Sequence, residues 1–226
     1  MVHPSRPVVF LTIILMVALC RISAVWAEPA GVEFVVKVKA PPERPQMAIT
    51  RAVVEQTRRV LEKRLPPEVR VTVSHNDSRN LQVDIPAALS QEKVEWLLRT
   101  RGILDFREPI TGGGWEVAMG DFLVAEAVFR ESPKTQALGP MVRVTLTTEG
   151  AREFSIVTAR LMGRPMGIFL DDHLLSCPVV REPIRGGVFD ITGFKSDEEA
   201  RAVAAVLASG ALGVELKILR KIPLHD

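Results

Sequence analysis

One segment of the chain gathers the side chains that a nucleophilic enzyme would use: Asp171-Asp172-His173-Leu174-Leu175-Ser176-Cys177-Pro178. A cysteine nucleophile needs its base within hydrogen-bond reach, about 2.6 to 3.2 Å. An extended run from 173 to 177 advances about 3.3 Å per residue, which sets His173 and Cys177 about 13 Å apart, too far for a dyad. The apolar strand around Cys177 predicts a buried small residue instead. Metal chemistry has no better footing: His75 and His225 are isolated in the sequence, and one thiol cannot furnish the four ligands of a structural zinc site. Gly186-Gly187 precedes a strand and lacks the Gly-Lys-Ser/Thr of a phosphate loop, so the pair reads as a tight corner. No catalytic residue, cofactor or metal ligand is assigned, and no small-molecule substrate is implied.

An interaction surface is the more plausible kind of site. Gly114-Trp115, Phe122, Leu123, Val124 and Phe129 concentrate apolar bulk beside the glycine run Gly112-Gly113-Gly114. Exposed apolar patches next to a flexible segment suit transient capture of unfolded chains, which offer hydrophobic area but no fixed shape. Trp115, Phe122, Leu123 and Phe129 are therefore the candidate polypeptide contacts; a core helix would show the same stripe. Nucleic acid is a poor partner. The chain carries 29 Lys and Arg against 27 Asp and Glu. Arg6 and Arg21 are the only such charges before Glu28, so the remainder is balanced and offers no positive field for phosphate.

Residues 1–27 read as a targeting segment. Residues 8–19 are uncharged, and Val25 and Ala27 supply the small side chains a signal peptidase accepts before Glu28. The alternative is an uncleaved membrane anchor. Arg21 argues against it by cutting the apolar run below the roughly 18 to 20 residues of a spanning helix. Lipoprotein processing at Cys20 is disfavoured by the bulk of Leu19. Cleavage leaves Cys177 as the single thiol, so no intrachain disulfide can staple the fold even in an oxidising compartment.

The elements that must position any such site follow a β-α-β-β-α-β pattern in the first half. Phe34, Val36 and Val38 alternate with Glu33, Lys37 and Lys39. Ile49, Val53, Val60 and Leu61 form a helical stripe closed by Pro66-Pro67. Val69, Val71 and Val73, then Leu81, Val83 and Ile85, give two strands. A helix capped by Ser90 turns Val94, Leu97 and Leu98 inward, and Leu104 and Phe106 are expected to finish the fourth strand. This is the ferredoxin-like order. The pattern breaks at Gly112-Gly113-Gly114, read as a hinge. Residues 121–130 suggest a short helix, and residues 131–140 a polar connection. A second α+β unit then begins at Val142; Ser196 with Glu199 makes a capping box and Gly210 stops the last helix.

Residues 144–213 carry a series of landmarks in fixed order: Thr147-Thr148-Glu149-Gly150-Ala151, Phe154, Thr158, Gly163-Arg164, Leu170-Asp171, Ser176-Cys177-Pro178, Gly186-Gly187, Ile191-Thr192-Gly193 and Ser209-Gly210-Ala211-Leu212. With Glu55-Gln56-Thr57 in the first helix and Leu104-Asp105-Phe106-Arg107 upstream, this series resembles the first periplasmic domain of SecD, the membrane subunit that assists the Sec protein translocase. The middle matches loosely, through Gly120, Leu123 and Ala127. The likeness runs over residues 31–222.

The resemblance implies an α+β fold: a ferredoxin-like base (βαββαβ) over 31–109 with an inserted α+β head over 142–213. Residues 110–141 would form a hinge and connection, and residues 214–226 a strand returning to the base. In that family Asp171-Asp172-His173 falls at a hairpin turn, where Asp is turn chemistry rather than catalysis. The expected function is a non-enzymatic, exported, periplasmic SecD-like domain that assists protein translocation. It would do so by transient binding of translocating polypeptide or by docking on a membrane partner of the Sec system. The alternatives are a domain anchored at the inner membrane, and a divergent envelope structural or adaptor protein with no role in export. The family's Gly/Asp/Gly-Gly motif after its first membrane helix is replaced here by Ala30-Gly31-Val32-Glu33. Its later proton-coupling helices have no counterpart before Asp226, so the expectation is a stand-alone version of the domain.

Overall fold

The computed structural model describes residues 30–120, 124–131 and 139–224. Period-two alternation builds the first layer: β1 (Gly31–Lys39) buries Val32, Phe34, Val36 and Val38, all at most 8% exposed, and leaves Glu33 and Lys37 partly open. α1 (Arg51–Arg64) starts where the Thr50 hydroxyl accepts from the Val53 amide, and buries Val54, Thr57, Leu61 and Arg64 on one helical stripe. β2 (Arg70–Val73) and β3 (Asn80–Pro86) follow, then α2 (Gln91–Arg99), capped by Ser90 and burying Val94, Leu97 and Leu98. With β11 (Glu215–Leu224), the strands form an antiparallel sheet in the order β11-β1-β3-β2.

Leu104 and Phe106 do not enter this sheet. β4 (Leu104–Pro109) joins β5 (Trp115–Met119), β8 (Gly167–Leu170) and β9 (His173–Ser176) in a second sheet, ordered β5-β4-β8-β9. The place beside β1 goes to β11, which runs along it from Gly31↔Leu224 to Lys39↔Glu215 with one bulge at Val35/Val36. Gly102, at φ 90°, turns the chain away just before β4. The glycine run is likewise no junction. Gly112, Gly113 and Gly114 all have positive φ and tie off the β4–β5 hairpin through Ile110 N–H to Gly114 O and Gly113 N–H to Ile110 O. The segments that pass between the first sheet and the rest are residues 100–103 and 210–214.

The third sheet contradicts the short helix expected over residues 121–130. β6 (Val124–Arg130) lies antiparallel to β7 (Met141–Leu146), with Val128 opposite Arg143 and Arg130 opposite Met141; β10 (Val188–Ile191) completes the order β10-β7-β6. Pairing with a neighbouring strand overrides the weak local helical preference of Ala125-Glu126-Ala127. α3 (Thr148–Arg160) joins the second and third sheets through an aromatic trio. Phe154 lies 4.6 Å from Phe106 of β4 and 5.0 Å from Phe189 of β10, ring centre to ring centre. α4 (Asp197–Ser209) opens on the expected capping residues: Ser196 Oγ accepts from Glu199 N–H at 3.2 Å, and Glu199 reaches back to the Lys195 amide at 2.7 Å. No helix among the described residues is long and apolar enough to cross a membrane.

Candidate functional site: a cleft and an edge hairpin

The segment that could suggest an enzyme is held together for structural ends. Asp171, at φ 55°, sits at the turn between β8 and β9. Its carboxylate accepts the backbone N–H groups of Arg101, Gly102 and Ile103 at 2.9, 3.1 and 2.9 Å. Arg107 donates to both oxygens of Asp105 at 2.8 and 2.9 Å, to the Asp171 carbonyl and to Asp172, and its guanidinium lies 4.2 Å over the Phe169 ring. Hydrogen bonding to Asp105 raises the Arg107 pKa further above its ordinary value. Cys177 is exposed, contrary to the expected buried residue. β9 is an edge strand that ends at Ser176, so the thiol falls beyond the ladder with no neighbouring strand over it. Among the described residues no three metal-ligating side chains converge.

Of the four candidate polypeptide contacts, Trp115 and Phe129 stand in different sheets. Phe122 and Leu123 lie outside the described residues. Trp115 stands on β5, the edge of the second sheet, and is 37% exposed; its ring meets Phe169 edge to face at 5.4 Å. Phe129 is half-buried on β6 in the third sheet, with the Arg201 guanidinium 3.8 Å over its ring. Trp115 does have exposed apolar company on its own hairpin, in Ile110 and Val117.

A second apolar surface went unseen in the sequence. A cleft of about 340 Å³ opens between α2, β9 and α4. Trp96 and Lys93 of α2 form one wall, Ala202 and Val203 of α4 the other, and His173 and Leu175 of β9 the end. Trp96 is 40% exposed because it flanks the Val94, Leu97 and Leu98 stripe rather than belonging to it. A tryptophan off the apolar stripe of a nine-residue helix was the available signal. Lys93 crosses the rim to Glu198 at 2.8 Å, and that hydrogen bond holds the Glu198 carboxyl below its usual range.

Residues 119–214 match the family described as SecDF, P1 head subdomain. The protein translocase subunit SecD of Acidaminococcus fermentans is 31% identical over 172 residues, covering 76% of this chain and 39% of that protein. The SecDF subunit of Thermus thermophilus is 41% identical over 98 residues, 43% of this chain and 13% of that protein. A crystal structure of SecDF in a super-membrane-facing form superposes with a TM-score of 0.66 at 27% identity, covering 86% of this chain and 30% of the other. A second structure, of a SecDF membrane component described as enhancing protein export, gives 0.62 at 25% identity over 83% of this chain and 98% of the other. The chain thus spans well under half the length of the curated relatives it matches. The α+β architecture, the family match and these likenesses together show a chain similar to the P1 region of SecD.

Proposed function

We propose that the chain is a protein-translocation domain that binds apolar stretches of translocating polypeptide in the cleft beside Trp96. The observation that carries this reading is the open cleft itself, whose apolar walls come from α2 on one side and from α4 and β9 on the other. Side chains emerging from an extended, unfolded segment would enter it and bury Trp96, while the Lys93 and Glu198 rim stays wet. The relatives named for protein translocation, and the SecDF component described as enhancing export, support the broader role. The reading is non-enzymatic: Asp105, Asp171 and Arg107 are engaged with one another and with backbone amides. The domain works in the periplasm, after cleavage behind Ala27 or tethered by residues 1–27.

The β4–β5 hairpin favours a second reading, docking on a membrane subunit of the translocase, because Ile110, Trp115 and Val117 expose apolar area on one edge. A photocrosslinking residue at position 96 or 115 in intact cells tests both. Exported clients captured from position 96 support the cleft, and translocase subunits captured from position 115 support docking. Capture of unrelated envelope proteins from both positions sinks the export reading.

A further inference from the structure

A groove of about 600 Å³ runs along α3 beside the corner Arg185-Gly186-Gly187 that leads into β10, and none of its lining residues borders the cleft at Trp96. Two arginines stand at it, Arg152 on α3 and Arg185 on the corner. Neither has a hydrogen-bond or ion-pair partner among the described residues. Other arginines of this region are engaged: Arg143 pairs with Asp190, and Arg160 and Arg164 share Glu108. The hydroxyls of Thr148 and Ser155 also line the groove unpaired, and no carboxylate lines it. Thr148 opens α3, so the positive end of the helix dipole lies at the same place.

The floor is apolar, built from Leu146, Ala151 and Ile156. Ile156 is 62% exposed, and Met162, just beyond the end of the helix, is 59% exposed; these are the two highest values of any large apolar side chain among the described residues. Gly187 is required where it stands, because its φ is 63° and a Cβ there would lie 2.4 Å from Ala151. Gly186 is not: its φ lies outside the left-handed range and nothing lies within 4 Å of a Cβ built on it. A glycine that neither packing nor backbone demands keeps that wall of the groove free of a side chain. Cations without counter-ions beside exposed apolar area match an anionic amphiphile better than a free anion, which would leave Ile156 wet. An extended peptide fits less well, because α3 offers no strand edge and no residue of β10 lines the groove.

We propose that this groove takes the phosphate headgroup of an anionic phospholipid between Arg152 and Arg185, with Ile156 and Met162 entering the apolar edge of the bilayer, and so docks the domain on a membrane surface. The inference stands apart from what the cleft binds. Its test uses the full chain with Cys20→Ala, Cys177→Ala and Met162→Cys, the last position carrying an environment-sensitive fluorophore. Vesicles are made of phosphatidylcholine alone or with phosphatidylglycerol. The chain beyond residue 27 carries as many acidic as basic residues, so a preference for anionic vesicles at the label has to be local. Emission should shift to shorter wavelength only on vesicles containing phosphatidylglycerol. Arg152→Gln and Arg185→Gln should each lower the docked-to-free ratio about fivefold, and Gly186→Asp should abolish docking at an unchanged melting temperature. An equal response to both kinds of vesicle overturns the proposal, as does an undiminished response in the two arginine variants. Full reversal by millimolar inorganic phosphate also overturns it, because the site would then take a free anion, and so does a response to a soluble acidic peptide but not to vesicles. If Gly186→Asp does not fold, the arginine variants decide.

Discussion

Replacing Trp96 by alanine asks the sharpest question of the cleft. Trp96 keeps 40% of its surface exposed in the free protein. On a side chain of about 250 Å² that is about 100 Å², so full coverage by a bound segment is worth about 2.5 kcal/mol at about 25 cal/mol per Å², or about 70-fold in Kd. Partial coverage would halve the free energy and leave about an 8-fold loss, still measurable. The assay is fluorescence anisotropy of a labelled, permanently unfolded polypeptide titrated with the parent, with Trp96→Ala and with Trp96→Phe, which should recover much of the loss. Thermal unfolding is followed on the same samples, since the buried part of the indole also packs against the helix flank. A folded Trp96→Ala protein that binds within twofold of the parent would refute the assignment, because no segment could then be covering that surface.

Gly167→Ala should lower the melting temperature, because its Cβ would lie 2.7 Å from the Phe169 ring and 2.8 Å from the Trp115 ring; overpacking of this kind costs about 1 to 3 kcal/mol, read by thermal or denaturant unfolding. Cys177→Ala should change stability by no more than about 0.5 kcal/mol, since the thiol is exposed and lies beyond the strand; the same residue should react with a thiol reagent in the folded protein, and a protected thiol would contradict its placement. Deleting residues 214–226 removes the strand that pairs with β1 along its length; the truncated chain should lose amide protection in β1 and β3 and aggregate, whereas retained protection would show that the first sheet does not need β11.

The elements with strong local periodicity were legible and those defined by distant partners were not. Phe34, Val36 and Val38 announce β1, and Ser196 with Glu199 announces the start of α4, because alternation and capping act within a few residues. Nothing local to Leu104 and Phe106 says which sheet they enter; that is settled by competition with β11, more than a hundred residues later. Val124 to Phe129 carry a stripe that either period accommodates, and β7 decides it. The exposed Cys177 was misread because an apolar neighbourhood in sequence does not reveal that β9 is an edge. The cleft was invisible for the same reason: its walls come from residues near 95, 174 and 200. In the sequence Arg64 is one of two basic residues in the last turn of α1, and only the meeting of α1, α2 and α4 makes it a buried hub.

Closing the first sheet with β11 rather than β4 ties the two parts together energetically. β1 lies between β3 and β11, and its burial of Phe34 and Val36 depends on a strand synthesised after the entire second and third sheets. The contacts that complete the base are therefore long-range, and their loop-closure cost falls when the intervening residues are already folded into a compact insert. Arg64 and Leu212 act on that insert's two ends, since Arg64 bonds both linkers and Leu212 N–H joins the second to the first at Arg101 O. Once the ends are pinned side by side, β11 starts at Glu215 already opposite Lys39. The buried charge is thus placed where it satisfies two helix ends and sets the starting register of the last strand, which explains why an arginine occupies a site that an apolar residue could fill by volume but not by hydrogen bonding.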